Sequence, residues 1–214
     1  TIVPFQTGLE NDWEILKSVP TRRIFPGLAY INAAKTGPGQ IEQLSGPCTL
    51  TFGARDGVRD PILEQIQHEL RDAGIRATLS AAIEREMWNK LVWISAFAGT
   101  TALFRSKIGR VVNLPQGYEI FRRCLDEALL LADHRGIDFD DATKRKLVEK
   151  IEYYKSDGRD AKTSLLLDME HGRRTEVETI HGTLVRYAQQ DGIDVPLLQT
   201  IYAVVKLHDR AVVA

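Results

Sequence analysis

Residues 83–98, IEREMWNKLVWISAFA, place Ile83, Met87, Leu91, Ile94 and Ala98 three or four apart, the spacing of one helical face. Val92, Trp93, Ala96 and Phe97 fill the other sides, so this helix is apolar nearly all round and is expected at the centre of a bundle. From Ala81 onward helix follows helix with no convincing strand. Phe121, Leu125, Ala128, Leu129 and Ala132 make a stripe that stops at Gly136-Ile137. Val177, Ile180, Leu184 and Tyr187 make another that stops at Gly192-Ile193. The two Gly-Ile-Asp exits are one helix-stop chemistry used twice, not a repeat architecture. Further helices are expected from about Asp140 to Tyr154 and from Pro196 through Val205.

The first 80 residues read differently. Pro and Gly punctuate short β-branched or aromatic runs at Ile2 to Phe5, Leu28 to Ala34 and Thr49 to Phe52, which predict strands. Asp60 to Ala73 predicts a helix, with Asp60 as N-cap, Pro61 at the first position, Gly74 as left-handed stop and Ile75 as its hydrophobic partner. Strands alternating with helices indicate an α/β unit. The expected architecture is α/β plus all-α: an incomplete parallel sheet over residues 1–80, then a helical domain over residues 81–214.

Composition narrows the function classes. The 214 residues are 43% hydrophobic and 27% charged, as in an ordinary soluble globular protein. A net charge of -1 leaves no basic excess for phosphates, and the pair Arg22-Arg23 is too short a patch, so nucleic acid is not an expected partner. Cys48 and Cys124 lack Cys-x-x-Cys spacing, which gives neither a disulfide framework nor a zinc site and makes a reducing cytoplasm the expected location. No apolar run approaches the ~18 residues of a membrane span, and no signal pattern opens the chain. Thr1 is not a methionine and strand-like residues come at once after it, so a fragment, a processed product or a truncated chain is expected.

Chemistry concentrates at two places. Lys90 adjoins the most apolar segment of the chain, where an ammonium must reach water, pair with a carboxylate or line a cleft. It is either a helix-end lysine in solvent or a lysine of lowered pKa able to protonate a developing alkoxide. Thr175 with Glu178 reads as a capping box, which puts Glu176 in the first turn of a helix, where the dipole favours a carboxylate. Gly172, Arg173 and Arg174 before it form a helix-to-helix turn. Glu178 and His181 have the spacing of a carboxylate-bridged metal site but no second pair on a facing helix, so no metal is expected. His68, His134, His171 and His208 show no ligand spacing.

Together these residues resemble the ketopantoate reductase family. Trp88, Asn89, Lys90 and Leu91 stand as its Trp-x-Lys-Leu segment. Ser164, Leu165, Leu166 and Asp168 followed by Gly172, Arg173, Thr175 and Glu176 match its Ser-Met-Leu-x-Asp and Gly-Arg-x-Thr-Glu segments without a gap. Pro4, Gln6, Gly8 and Asn11 resemble its Pro-x-Gln-Asn-Gly loop after a Rossmann strand, and Pro38, Gly39 and Gly46 fall where the family has a Pro-Gly turn and a later Gly.

The resemblance implies that residues 1–80 are the C-terminal part of a Rossmann-like nucleotide-binding domain and residues 81–214 a helical substrate and dimerisation domain. It implies NADPH-dependent reduction of a 2-oxo acid to the 2-hydroxy acid, a place in pantothenate biosynthesis, and a homo-oligomer whose other partner is the small-molecule acid, with no membrane. In that family the lysine matching Lys90 is the general acid, the glutamate matching Glu176 orients substrate and meets the cofactor, and the serine matching Ser164 contacts the substrate carboxylate. Thr7, Ile94 and Ala98 stand where well-known members carry asparagines toward cofactor (Thr7) or substrate (Ile94, Ala98).

The sequence departs from the family pattern at two points. The Gly-x-Gly-x-x-Gly turn for the pyrophosphate is absent, since Gly37-Pro38-Gly39 does not open a helix, and these residues alone are expected to be inactive. The lost asparagines put ketopantoate itself in question, so another hydroxyacid dehydrogenase of the same plan stands beside the first reading. A helical module that only dimerises or binds a small acid is the alternative from outside enzymology.

Overall fold

The computed structural model describes residues 1–19, 23–156 and 162–209; Arg22 of the short basic pair lies outside them. The chain divides into two compact units, Thr1–Met87 and Trp88–Ala214.

In the first unit, α1 (Asn11–Ser18), β1 (Gly27–Gly37), β2 (Gln40–Phe52), α2 (Pro61–Asp72) and β3 (Arg76–Leu79) succeed one another, and the strands lie in the order β1-β2-β3. The α/β class is as expected, but the sheet is mixed. β1 and β2 form an antiparallel hairpin with Gly27 opposite Phe52, and its turn is Pro38-Gly39. Proline suits the first central position of a type II turn, and Gly39 adopts the φ of 70° that the second requires. β2 and β3 run parallel, Leu50 beside Ala77, with α2 as the crossover.

The Ile2 to Phe5 run makes only a parallel bridge from Ile2 to Ile24, because Pro4 has no N–H to extend a ladder. β3 escapes sequence reading: it has four residues, of which Ala77 alone is fully buried.

Helix α2 begins and ends as its sequence dictates. Asp60 accepts from the N–H of Ile62 at 2.9 Å, Gly74 takes φ 77°, and Ile75 N–H closes the end on Leu70 O at 2.9 Å. Its apolar face packs Leu63 against Phe52 and Ala77, with Val3, Phe5, Phe25, Ile66 and Leu70 around them. Burying each large side chain contributes about 1.5–3 kcal/mol. Gly53, directly after β2, admits no side chain, since a Cβ there would stand 2.1 Å from Ser80 O.

Helix α3 (Ile83–Leu103) runs into the second unit, followed by α4 (Ile108–Asn113), α5 (Pro115–His134), α6 (Asp141–Ser156), α7 (Ser164–Glu170), a π-helical turn (Glu178–Gly182), α8 (Thr183–Asp191) and α9 (Pro196–His208). As expected, α3 is central. Trp93 meets Phe121 of α5 edge-on at 5.7 Å between ring centres, Phe97 meets Tyr154 of α6 at 5.0 Å, and Trp88 meets Tyr187 of α8 at 6.1 Å. The buried hydroxyls of Ser95, Thr100 and Thr101 bond carbonyls of their own helix at 2.7–3.0 Å, so an all-round buried helix carries polar residues without orphaning them. Gly136 and Gly192 are left-handed at φ 78° and 68°, and both Ile137 and Ile193 close their helix ends at 2.9 Å. Among the described residues no helix is long and apolar enough to cross a membrane.

Candidate active site around Lys90 and Glu176

Lys90 stands on α3 among Trp88, Leu91 and Val92, which are at most 2% exposed. Burial lowers its pKa, and the charge of Glu176 pulls it partly back up. The helix repeat puts Ile94 and Ala98 on the same face, Ile94 half-buried and Ala98 buried. Lys90 is therefore not a plain surface ammonium.

Glu176 is delivered by a tight reversal. Gly172, at φ 59°, ends α7, and Arg173 N–H bonds Asp168 O at 2.8 Å. The Arg173 guanidinium adds a bond to the Asp168 carboxylate at 2.8 Å. Glu176 keeps a solvent-facing side, yet desolvation by nearby protein atoms raises its pKa, Lys90 counteracts that, and Asp168 adds to it.

The expected capping box does not form, and Glu176 stands in a bend just before the helix, with its carbonyl accepting from Ile180 N–H, rather than in the first turn. Thr175 Oγ1 lies 3.4 Å from Val177 N–H and donates to the buried Asp209 carboxylate at 3.0 Å. Glu178 does not turn back as a box would; its carboxylate accepts from Tyr202 Oη and from Lys206 Nζ. The reason is tertiary: α9 brings a phenol and an ammonium to Glu178, and charge-assisted bonds outcompete a neutral backbone N–H. The backbone after Val177 then opens as a π-turn rather than a regular α-helix.

Ser164 is the exposed first residue of α7. Thr163 before it caps that helix by accepting Leu166 N–H at 3.3 Å, and its Oγ1 lies 2.8 Å from Thr101 Oγ1, which ties the start of α7 to α3 one turn beyond Ala98. The charges of Lys90 and Glu176 are close enough to interact, Ile94 and Ala98 follow Lys90 on its helix face, and Ser164 begins the helix whose cap is tied to α3. Thr7 belongs to the first unit, in a bend beside Gly8 at φ 139°. The Thr101–Thr163 pair and Asp209 carry no sequence signal, since their partners are 62 and 34 residues away. Among the described residues no group of His, Cys, Asp and Glu is arranged to hold a metal.

Residues 82–209 match the family model described as ketopantoate reductase PanE/ApbA C terminal. The 2-dehydropantoate 2-reductase of Archaeoglobus fulgidus is 32% identical over 205 residues, covering 96% of this chain and 67% of that protein. A PanE/ApbA family ketopantoate reductase from Ralstonia eutropha superposes with a TM-score of 0.86 at 21% identity, over 99% of this chain and 67% of the other. A D-mandelate dehydrogenase solved with NADH and anilino(oxo)acetate shares the fold at a TM-score of 0.85 and 16% identity, over 99% of this chain and 68% of the other. With a family match over most of its length, laid on the segments that bear Lys90, Ser164 and Glu176, the chain belongs to the ketopantoate reductase family.

Proposed function

We propose that the protein reduces a 2-oxo acid to the 2-hydroxy acid with NADPH, Lys90 serving as general acid. The observation that carries this reading is the half-buried Lys90, with a lowered pKa, in charge interaction with the Glu176 carboxylate, on a helix face that continues through the half-buried Ile94 to the buried Ala98. NADPH, when bound, supplies the hydride to the carbonyl carbon. As the carbonyl π pair withdraws onto oxygen, the Lys90 ammonium stabilises the charge and then transfers its proton to that oxygen, leaving a hydroxyl and a neutral amine that is reprotonated from water. Glu176 favours the charged lysine and orients the substrate. Ser164 donates to the substrate carboxylate, and Ile94 and Ala98 wall its side chain.

Residues 1–80 belong, in this reading, to the nucleotide-binding domain and residues 81–214 to the substrate domain. The 214 residues contain no Gly-x-Gly-x-x-Gly and so do not fit a pyrophosphate, which a segment outside them must hold. They offer the Thr7–Gly8 bend, where glycine lets backbone come close to a ligand. We place the protein in the cytoplasm, as a homo-oligomer, with no nucleic-acid or membrane partner.

The test is NADPH consumption by the full-length protein against a panel of 2-oxo acids, beside Lys90→Ala. Turnover of a 2-oxo acid that falls about 10²- to 10⁴-fold in the variant, with KM little changed, is expected. Equal turnover in both proteins removes Lys90 from the chemistry. Saturable binding of a 2-oxo acid without any turnover favours the non-catalytic module. Calorimetric titration of the 214 residues alone is expected to show weak or no NADPH binding, and micromolar affinity would place the pyrophosphate site within them.

A second reading, another hydroxyacid dehydrogenase of the same plan, is favoured by Ile94 and Ala98, which offer hydrocarbon where an amide would be needed to bind a substrate hydroxyl.

A further inference from the structure

The turn that brings Glu176 to Lys90 is fastened to α3 by a buried imidazole. His181 lies within the π-turn, five residues after Glu176, and has no exposed surface. Its Nε2 is 3.0 Å from the carbonyl of Ser95, five residues after Lys90 on α3. We infer that His181 is a positioning residue for the Lys90–Glu176 pair, setting the height of the Glu176 turn on α3 through an Nε2–H bond to Ser95 O. The inference rests on the reading of Lys90 as proton donor.

The tautomer is set by chemistry. A carbonyl only accepts, so Nε2 carries the proton and Nδ1 is a bare acceptor. Nδ1 is fully buried with no partner among the described residues. A protonated ring would bury a second N–H with nothing to receive it, and burial pushes the pKa down to about 4. The ring is therefore neutral at neutral pH. An orphaned buried acceptor carries a desolvation cost that a hydrocarbon of the same size avoids. Filling space alone does not explain an imidazole here; the directed bond to Ser95 does.

The surrounding backbone is shaped to admit the ring. A Cβ on Gly99 would stand 2.6 Å from His181 Nε2 and 3.1 Å from Ile201, so α3 is recessed at the point where the imidazole meets it. On the other side of the turn, a Cβ on Gly182 would stand 2.7 Å from Glu178 Oε2, the carboxylate already held by Tyr202 and Lys206. The π-turn is thus pinned from α3 by His181 and from α9 through Glu178. A π-turn inserts one residue into the helix and so rotates the residues on its N-terminal side, including Glu176, relative to α8. Misplacing a reacting pair by about 1 Å costs on the order of 10²-fold in rate.

The experiment compares full-length wild type with His181→Leu, which fills the space without a donor, and His181→Gln, whose amide N–H can donate to Ser95. Three quantities are read: kcat and KM with the best 2-oxo acid, the titration of Lys90 by NMR of its side chain, and Tm. His181→Leu is expected to lower kcat by about 10-fold or more with KM little changed and to move the Lys90 titration, while His181→Gln recovers both. If His181→Leu lowers Tm but leaves kcat and the Lys90 titration as in wild type, His181 is structural only and the inference fails. Should His181→Leu not fold, Gly99→Ala presses on the ring from α3 and is expected to move the same two readouts. The tautomer of wild-type His181, read from its ring ¹⁵N shifts, decides independently: a proton on Nδ1 at neutral pH overturns the inference. Loss of the proposed reductase activity as a reading would leave the Lys90 titration as a separate result, so the two failures are told apart.

Discussion

Lys90 and Glu176 act on each other's protons: the carboxylate raises the lysine pKa that burial lowers, and the ammonium lowers the glutamate pKa that burial raises. Each charge partly offsets the desolvation that acts on the other. This coupling fixes the sign of a mutational effect. Removing the Glu176 charge takes away a contribution that raises the Lys90 pKa, so Lys90 loses its proton at lower pH. In Glu176→Gln the alkaline limb of the kcat profile is expected to move to lower pH than in wild type. A limb that stays in place or moves upward means that Lys90 is not the titrating acid.

Substrate choice turns on Ile94 and Ala98. A substrate hydroxyl facing Ile94 would be buried without a partner. A site built to bond a hydroxyl discriminates by about 10⁴-fold, whereas a hydrocarbon wall discriminates by roughly 10- to 200-fold per methylene. If the proposed reduction holds, the protein is expected to prefer a less hydroxylated or more apolar 2-oxo acid than ketopantoate, with modest selectivity among close analogues. Comparing kcat/KM for ketopantoate, its deoxy analogue and branched 2-oxo acids decides this. Ketopantoate ahead by several orders of magnitude would show that other side chains supply the missing polar contacts.

Acid should weaken the fold through His181. Its pKa drops from 6.5 to about 4 on folding, so between those values the unfolded chain binds the proton and the folded one does not. The stability that this group contributes is complete above about pH 6.5 and is lost as pH falls toward 4. At about 1.4 kcal/mol per pH unit the loss is on the order of 3 kcal/mol. Denaturant unfolding of wild type and His181→Gln across that range checks it. The variant should show a shallower slope, and parallel slopes would mean that the acid sensitivity comes from other groups.

Gly53→Ala should damage the first unit. The obstacle at 2.1 Å is the Ser80 main-chain carbonyl, not a side chain that can swing away. Ser80 also donates its N–H to Phe52 O at 2.8 Å, so separating the two segments strains the parallel β2–β3 edge. A loss of about 2 kcal/mol or more is expected by denaturant titration. A variant as stable as wild type would mean that this edge is looser than its geometry.

Elements whose signals are local were legible before the structure. The Asp60-Pro61 start and Gly74-Ile75 stop of α2, and the exits at Gly136 and Gly192, are set by side chains and φ preferences within a few residues of the ends they make. Lys90 stands out in the sequence as a charge within an apolar helix. Features with distant partners are not legible in this way. Glu178 fits a capping box as a sequence, yet Tyr202 and Lys206, 24 and 28 residues onward, take its carboxylate.

By itself the sequence determined that α3 would be central, where the helices would stop, and that Lys90 is a charge set in an apolar helix. Those properties belong to periods of three or four residues and to single side chains, which a chain displays in any conformation. Only the tertiary structure decided that β1 and β2 would pair antiparallel, that Gly53 would face a carbonyl, and that His181 would reach Ser95 across 86 residues. Such contacts form between segments brought together by folding, and the entropy of closing those long loops is overcome by the whole core at once, so no local stretch of sequence announces them.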